Sequence, residues 1–168
     1  MKDLETPRLR FREWREEDFA PVAQFFADPL AVHYLGGKKS AEETWRLIAA
    51  YIGHYQLRTY SYMAVEEKST NQLIGSIGLW KSTPWPELEL GYWLFPAYRG
   101  KGYAYEAAKE AQKFAFTMLK SNTLVSYIDE ENIASAKLAK RLGGSQDGEI
   151  QLLDFGPHQV YRYFNTTK

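Results

Sequence analysis

The chain has no cysteine. Disulfides, thiol nucleophiles and cysteine-based zinc sites are therefore excluded. Histidine is scarce as well: His33, His54 and His158 are scattered without ligand spacing, so no histidine-only metal centre is expected. An excess of charge of either sign is missing. Lys plus Arg is 21 and Asp plus Glu is 21, whereas a general nucleic-acid binder normally carries a basic excess. No apolar run approaches the roughly 18 residues that suggest a bilayer span. The opening Met1-Lys2-Asp3-Leu4-Glu5 lacks the apolar core of a signal peptide. Internal repeats, low-complexity tracts and linkers are absent too. These absences lead us to expect one cytoplasmic domain over residues 1–168, with no metal, nucleic-acid or membrane partner.

What is present is core. Hydrophobic residues make up 45% of the 168, and a chain of this length buries about 70% of its unfolded surface. Alternation in Arg8-Leu9-Arg10-Phe11-Arg12 reads as a strand. Asp18 is a candidate N-cap for a short helix carrying Phe19, Val22, Ala23 and Phe26 on one face. Ser40 with Glu43 forms a capping box. It opens a helix to about residue 55, with Leu47, Ile48, Tyr51, Ile52 and Tyr55 on one side. Strands are expected at 60–65 and 72–80, joined by the turn Lys68-Ser69-Thr70-Asn71, and at 88–94. A long helix with alanines at 104, 107, 108 and 111 follows. A buried strand over 123–128 precedes a helix over 132–142, which Gly143-Gly144 closes. The last elements are a strand pair at 148–153 and 160–164. The order is β-α-α-β-β-β-α-β-α-β-β, a mixed α/β (α+β) fold around one sheet.

One stretch carries chemistry. Arg99-Gly100-Lys101-Gly102-Tyr103-Ala104 joins a strand to the longest helical pattern. The first turn of a helix has unpaired N–H groups and a partial positive charge, to which phosphate oxygens bind. Gly100 and Gly102 let backbone approach an anion closely, Arg99 and Lys101 add charge, and Ala104 keeps the first turn small. A P-loop would need Lys then Ser or Thr after the last glycine, but Tyr103 follows Gly102. A dinucleotide fingerprint would need a small residue where Tyr105 stands. The alternative is a strand-to-helix turn that merely uses glycine.

This segment resembles the Arg/Gln-x-x-Gly-x-Gly/Ala loop of GNAT-type N-acetyltransferases, which grips the pyrophosphate of acetyl-CoA. Glu89-Leu90-Gly91-Tyr92-Trp93 is similar to that family's central strand. Asp129-Glu130-Glu131-Asn132-Ile133-Ala134-Ser135 is similar to its later strand-to-helix junction. Leu4-Glu5-Thr6-Pro7-Arg8-Leu9-Arg10-Phe11-Arg12 resembles the opening of the branch that includes ribosomal-protein N-terminal acetyltransferases. The resemblance implies a mostly antiparallel central sheet flanked by helices, acetyl-CoA as acyl-donor cosubstrate, and a primary amine as acceptor: a protein N-terminus, a polyamine or a small amine. Dimers are common in the family.

The resemblance also implies roles. Holding an alkyl ammonium neutral at pH 7 costs about 4–5 kcal/mol, so a carboxylate or water chain must take its proton. Glu89 is the candidate base, and Glu87 an alternative beside Pro86. Backbone N–H groups of Tyr92, Trp93 or Leu94 would meet the developing oxyanion. Arg99, Gly100, Lys101, Gly102, Tyr103 and Ala104 would hold the pyrophosphate, and Asn132 the pantetheine arm. Ser135 would protonate the leaving thiolate or hydrogen-bond it. Many relatives instead use a tyrosine where this chain has Ala139. Asp129, Glu130 and Glu131 read as a solvated helix entrance. With no cysteine and no Ser-His-Asp signature, attack is direct, within a ternary complex. The missing tyrosine leaves a second reading, a non-catalytic acyl-CoA-binding or sensing module. Trp14, His33, Tyr34, Trp45, Tyr51, Tyr55, Trp80, Trp85 and Tyr103 could line an acceptor pocket, and His158 reads as a loop residue.

Overall fold

Seven strands and four helices follow the expected order in the computed structural model, which describes residues 1–166. They are β1 (Leu9–Arg12), α1 (Phe19–Ala27), α2 (Ala41–Arg58), β2 (Tyr62–Glu67), β3 (Gln72–Trp80) and β4 (Glu89–Leu94). Then come α3 (Tyr103–Thr117), β5 (Thr123–Ile128), α4 (Ile133–Arg141), β6 (Ser145–Gln151) and β7 (Pro157–Phe164). The strands form one sheet in the order β1-β2-β3-β4-β5-β7-β6. All neighbours are antiparallel except β4 and β5.

Each face of the sheet has its own apolar layer. On one side Ala107, Ala108, Ala111 and Ala115 of α3 are fully buried. Their small side chains let the helix lie close over Ile77, Leu90 and Leu94. On the other side α1 and α2 cover Trp93 with Phe25, Phe26, Ile48 and Tyr51. The rings of Phe25 and Trp93 stack with centroids 5.0 Å apart.

Several local features differ from the sequence reading. The α2 capping box is present: Ser40 Oγ accepts from the Glu43 N–H and Glu43 from the Ser40 N–H. But α2 runs a turn further, to Arg58, where Thr59 takes a left-handed conformation and its N–H bonds Tyr55 O. Its buried stripe is Thr44, Ile48, Tyr51 and His54, while Ile52 is 41% exposed. His54 turns inward because its ring stacks on Trp80 and its Nδ1 meets Tyr60 O. The β6–β7 pair starts earlier than expected on both strands, and Gly148 falls within an irregularity in its register.

Asp18 does not cap α1. It accepts two hydrogen bonds from the Arg12 guanidinium, at 2.7 and 2.8 Å, and one from the Arg15 N–H. Bidentate charge-assisted bonds are stronger than a neutral cap, and they win here. Arg12 also bonds Glu66 at 2.8 Å, so one cation ties β1 and β2 to the start of α1. The side chains of Arg12, Asp18 and Glu66 are 10%, 3% and 5% exposed. Replacing Arg12 with alanine leaves the buried Asp18 without its cation, while Glu66 keeps Arg10 at 3.0 Å, and should cost about 3–5 kcal/mol. A urea unfolding midpoint unchanged from wild type would contradict this.

Candidate active site

β4 and β5 run parallel but are in register only at Glu89 and Val125. Beyond that pair they part. The bond from Phe95 N to Ile74 O and that from Val125 N to Leu88 O fix which residues of β4 face which neighbour. Trp93, opposite Ser76, turns its N–H into the β3 ladder. Tyr92 and Leu94 turn theirs toward the split, outside any ladder. Of the three expected oxyanion donors, Trp93 is therefore excluded. Its ring is buried among Phe25, Phe26 and Trp14.

A cavity of about 540 Å³ occupies the split and is lined from both faces of the sheet. Tyr51, Tyr62 and Trp80 come from the α2 side. Tyr92, Asn132 and Ser135 come from the α4 side. The Tyr92 hydroxyl bridges the gap and donates to Ser135 O at 3.2 Å. Asn132 caps α4, its Oδ1 accepting from the Ser135 N–H at 3.1 Å. The structure thus gathers Glu89, Tyr92, Trp93, Asn132 and Ser135 around one space. Ala139 is fully buried in the core beside α3, so a hydroxyl at that position is not part of this arrangement.

Glu89 is 8% exposed, and its Oε2 is buried without a hydrogen-bond partner. Burial pushes its carboxyl up from 4.5 to about 7, against the lowering effect of the Tyr62 hydroxyl, the Trp85 indole and the Tyr127 amide. Tyr62 comes this close because residue 91 is glycine: a Cβ there would sit 2.2 Å from the Tyr62 hydroxyl. Glu87, the alternative base, is held by Arg162 at 2.7 and 2.9 Å, which keeps its carboxyl below the ordinary range. Asp129 Oδ1 accepts from the Glu131 N–H, while Glu130 and Glu131 are exposed.

The loop 99–104 lies beyond the other end of β4, outside this cavity. Gly100 and Gly102 have φ of 74° and 82°, where L side chains are strained. No side chain caps α3, so the N–H groups of its first turn are open. Two side chains of the loop serve structure instead. Arg99 donates to Leu94 O at 3.1 Å and to Ala31 O at 2.9 Å, which ties the loop to β4. The buried Tyr103 hydroxyl bonds Glu67. Lys101 and Gly102 line a wider groove along α3, of about 1020 Å³, with Tyr105, Lys109 and Arg141.

Of the aromatics expected at an acceptor pocket, His33, Tyr34, Tyr51, Trp80 and Trp85 line the cavity. Trp14, Trp45, Tyr55 and Tyr103 lie elsewhere, Trp45 at 57% exposure. The sequence reading missed Tyr62, Tyr127, Phe155 and His158. His158 belongs to β7 rather than a loop. The one available signal was alternation: positions 125, 127 and 158, 160 share a strand face.

A buried carboxylate with a raised pKa opposes folding once ionised. Its stabilising contribution is complete below 4.5 and is lost as pH rises through about 7. Glu89→Gln should therefore gain stability on wild type between pH 5 and pH 8, by up to about 3 kcal/mol. Parallel urea titrations with no pH-dependent gap would place the carboxylate in water.

Residues 8–145 match the family model for the acetyltransferase (GNAT) domain. The N-acetyltransferase YoaA of Bacillus subtilis (strain 168) is 24% identical over 151 residues, covering 88% of this chain and 85% of its own. The crystal structure of an acetyltransferase from Agrobacterium tumefaciens str. C58 has a TM-score of 0.89 at 32% identity, over 97% of this chain and 94% of that one. A spermidine N-acetyltransferase from Vibrio cholerae, in complex with CoA and spermine, shares the fold at TM-score 0.77 and 18% identity, over 96% and 98% of the two chains. A family match across most of the chain, on a sheet that opens in its middle, makes this protein a member of the GNAT acetyltransferases and an acyltransferase.

Proposed function

We propose that this protein transfers the acetyl group of acetyl-CoA to a primary amine, by direct attack within a ternary complex. The opening segment, residues 4–12, leads us to group it with the branch that includes ribosomal-protein N-terminal acetyltransferases. The observation that carries the reaction is the cavity through the split sheet, with Glu89 entering from one strand and Ser135 from the helix opposite. The residues present fit the coenzyme. Open N–H groups behind Gly100 and Gly102 suit a diphosphate. The N–H groups of Tyr92 and Leu94 suit an extended arm and a carbonyl oxygen. Acetyl-CoA supplies the activated acyl group.

Glu89 takes the proton of the incoming ammonium. At an ordinary 4.5 it would be a weak base for an amine; near 7 it is matched to neutral pH. Its surroundings of Tyr62, Trp85 and Tyr127 exclude water, which strengthens that proton transfer. A backbone donor from Tyr92 or Leu94 stabilises the oxyanion, an interaction typically worth about 2.7–4 kcal/mol. Ser135 protonates the departing thiolate. Its main chain is fixed by bonds to Asn132 and Tyr92.

Thiol release with an amine panel tests the base. Glu89→Gln should lower kcat about 10²-fold or more, with CoA affinity unchanged. In wild type kcat/KM should fall as pH drops below about 7, and the variant should lack that limb; full activity across pH would remove Glu89 from the reaction. The loop has a separate test. Gly102→Asp strains a φ of 82° and puts a negative charge at the helix start. Calorimetry should find CoA binding lost in a folded variant, and retained affinity would reject the cradle.

A further inference from the structure

The acetyl-transfer reading leaves the amine open, and the walls of the cavity narrow it. Among the described residues, the acids and bases that line it, histidine aside, are Lys39, Glu89 and Asp129. Asp129 bonds its own loop at the Glu131 N–H. Lys39 lies at the rim, its Nζ 5.6 Å from the Phe26 ring and near Gly36. Glu89 is thus the one deep acid, opposed by a cation at the entrance. With two acids and one base the wall carries at most one net negative charge, against the several positive charges of a polyamine.

The rest of the wall is aromatic. Tyr62 and Trp80 stack parallel at 5.8 Å, and Tyr51 meets Trp80 edge-on at 5.8 Å. Trp85 stands edge-on to Tyr127 and Phe155, at 6.2 and 5.8 Å. The rim is apolar too: Phe155 is 52% exposed, Tyr34 39% and Leu153 38%. Large apolar side chains left in water around a concavity mark a contact site. Ring faces attract both an ammonium and another ring.

We infer that the acceptor is an arylalkyl monoamine: one ammonium, on a short chain, carrying an aromatic ring. The ammonium meets Glu89 beside Tyr62 and Trp80, and the ring lies toward Trp85 and Phe155. Transfer forms the amide C–N bond and breaks the thioester C–S bond; of the two protons the ammonium loses, one goes to Glu89 and the other replaces the proton that Ser135 gives the departing thiolate. Lys39 acts on specificity by repelling a second positive charge, without touching the reacting atoms.

The inference rests on the acetyl-transfer reading, and the experiment separates the two. Thiol release would be followed with acetyl-CoA and phenethylamine, spermidine, or a short peptide with a free N-terminus, alongside calorimetry with CoA. The expected kcat/KM for phenethylamine exceeds that for the other two at least tenfold. Lys39→Glu should raise kcat/KM for spermidine about tenfold, leave phenethylamine within about twofold, and leave CoA affinity unchanged. Preference for spermidine or the peptide, or a Lys39→Glu variant with unchanged selectivity, overturns the monoamine assignment while acetyl transfer stands. Release of no thiol with any amine, or failure to bind CoA, overturns both.

Discussion

A strand edge cannot be left bare inside a protein, because each buried N–H and C=O needs a partner. The parting of β4 from β5 creates such an edge, and the chain answers it unevenly. Three of its carbonyls are satisfied. Leu88 O takes the Val125 N–H, Leu90 O takes the Ser126 hydroxyl at 2.6 Å, and Leu94 O takes Arg99. Across the gap, Ser135 O takes the Tyr92 hydroxyl. The donors of Tyr92 and Leu94 on the same edge are left outside the ladder. Free N–H donors on this edge suit a ligand that carries carbonyl oxygens. The ladders with β3 on one side and β7 on the other hold the split open.

Glu89 sits where that opening begins, at the last residue pair the two strands share. The position explains its burial, and burial explains its raised pKa. A carboxylate in such surroundings weakens the fold once ionised. Sites that oppose stability in this way are expected where chemistry requires them. Ser126 and Tyr163 show the other outcome nearby: their buried hydroxyls bond each other at 3.0 Å and brace β5.

Legibility from sequence followed the range of the interactions. The Ser40–Glu43 capping box and the alternating strands depend on residues a few positions apart, and their patterns were plain. Glu89 was found because it lies on the segment that resembles the central strand of the GNAT family. What stayed hidden depends on register. Whether Trp93 or its neighbours face the split requires knowing that Ser76 lies opposite it. Whether Arg99 is free for an anion requires knowing that Ala31, 68 residues away, offers its carbonyl. The cavity wall has the same character, since Tyr62, Trp85, Tyr127 and Phe155 come from four separate segments. No local period marks them as companions.

The glycine loop raises a last electrostatic question. An anion site at the start of α3 ought not to carry an acid, yet Glu106 stands in that first turn. The N-terminal segment resolves the conflict. Arg8 Nε pairs with Glu106 at 2.6 Å, and the Arg8 N–H and the Thr6 hydroxyl bond the same carboxylate. Those bonds hold the Glu106 carboxyl below its ordinary pKa, against the raising effect of burial, and turn it away from the helix start. Arg8 also donates to Lys101 O at 3.1 Å and lies over the Tyr103 ring. One arginine nearly a hundred residues upstream thus neutralises the acid and steadies the loop. The loop itself offers backbone donors, which need no reorganisation to meet an anion. Of its charged side chains Arg99 is spent on shape, so the proposed anion site relies first on backbone.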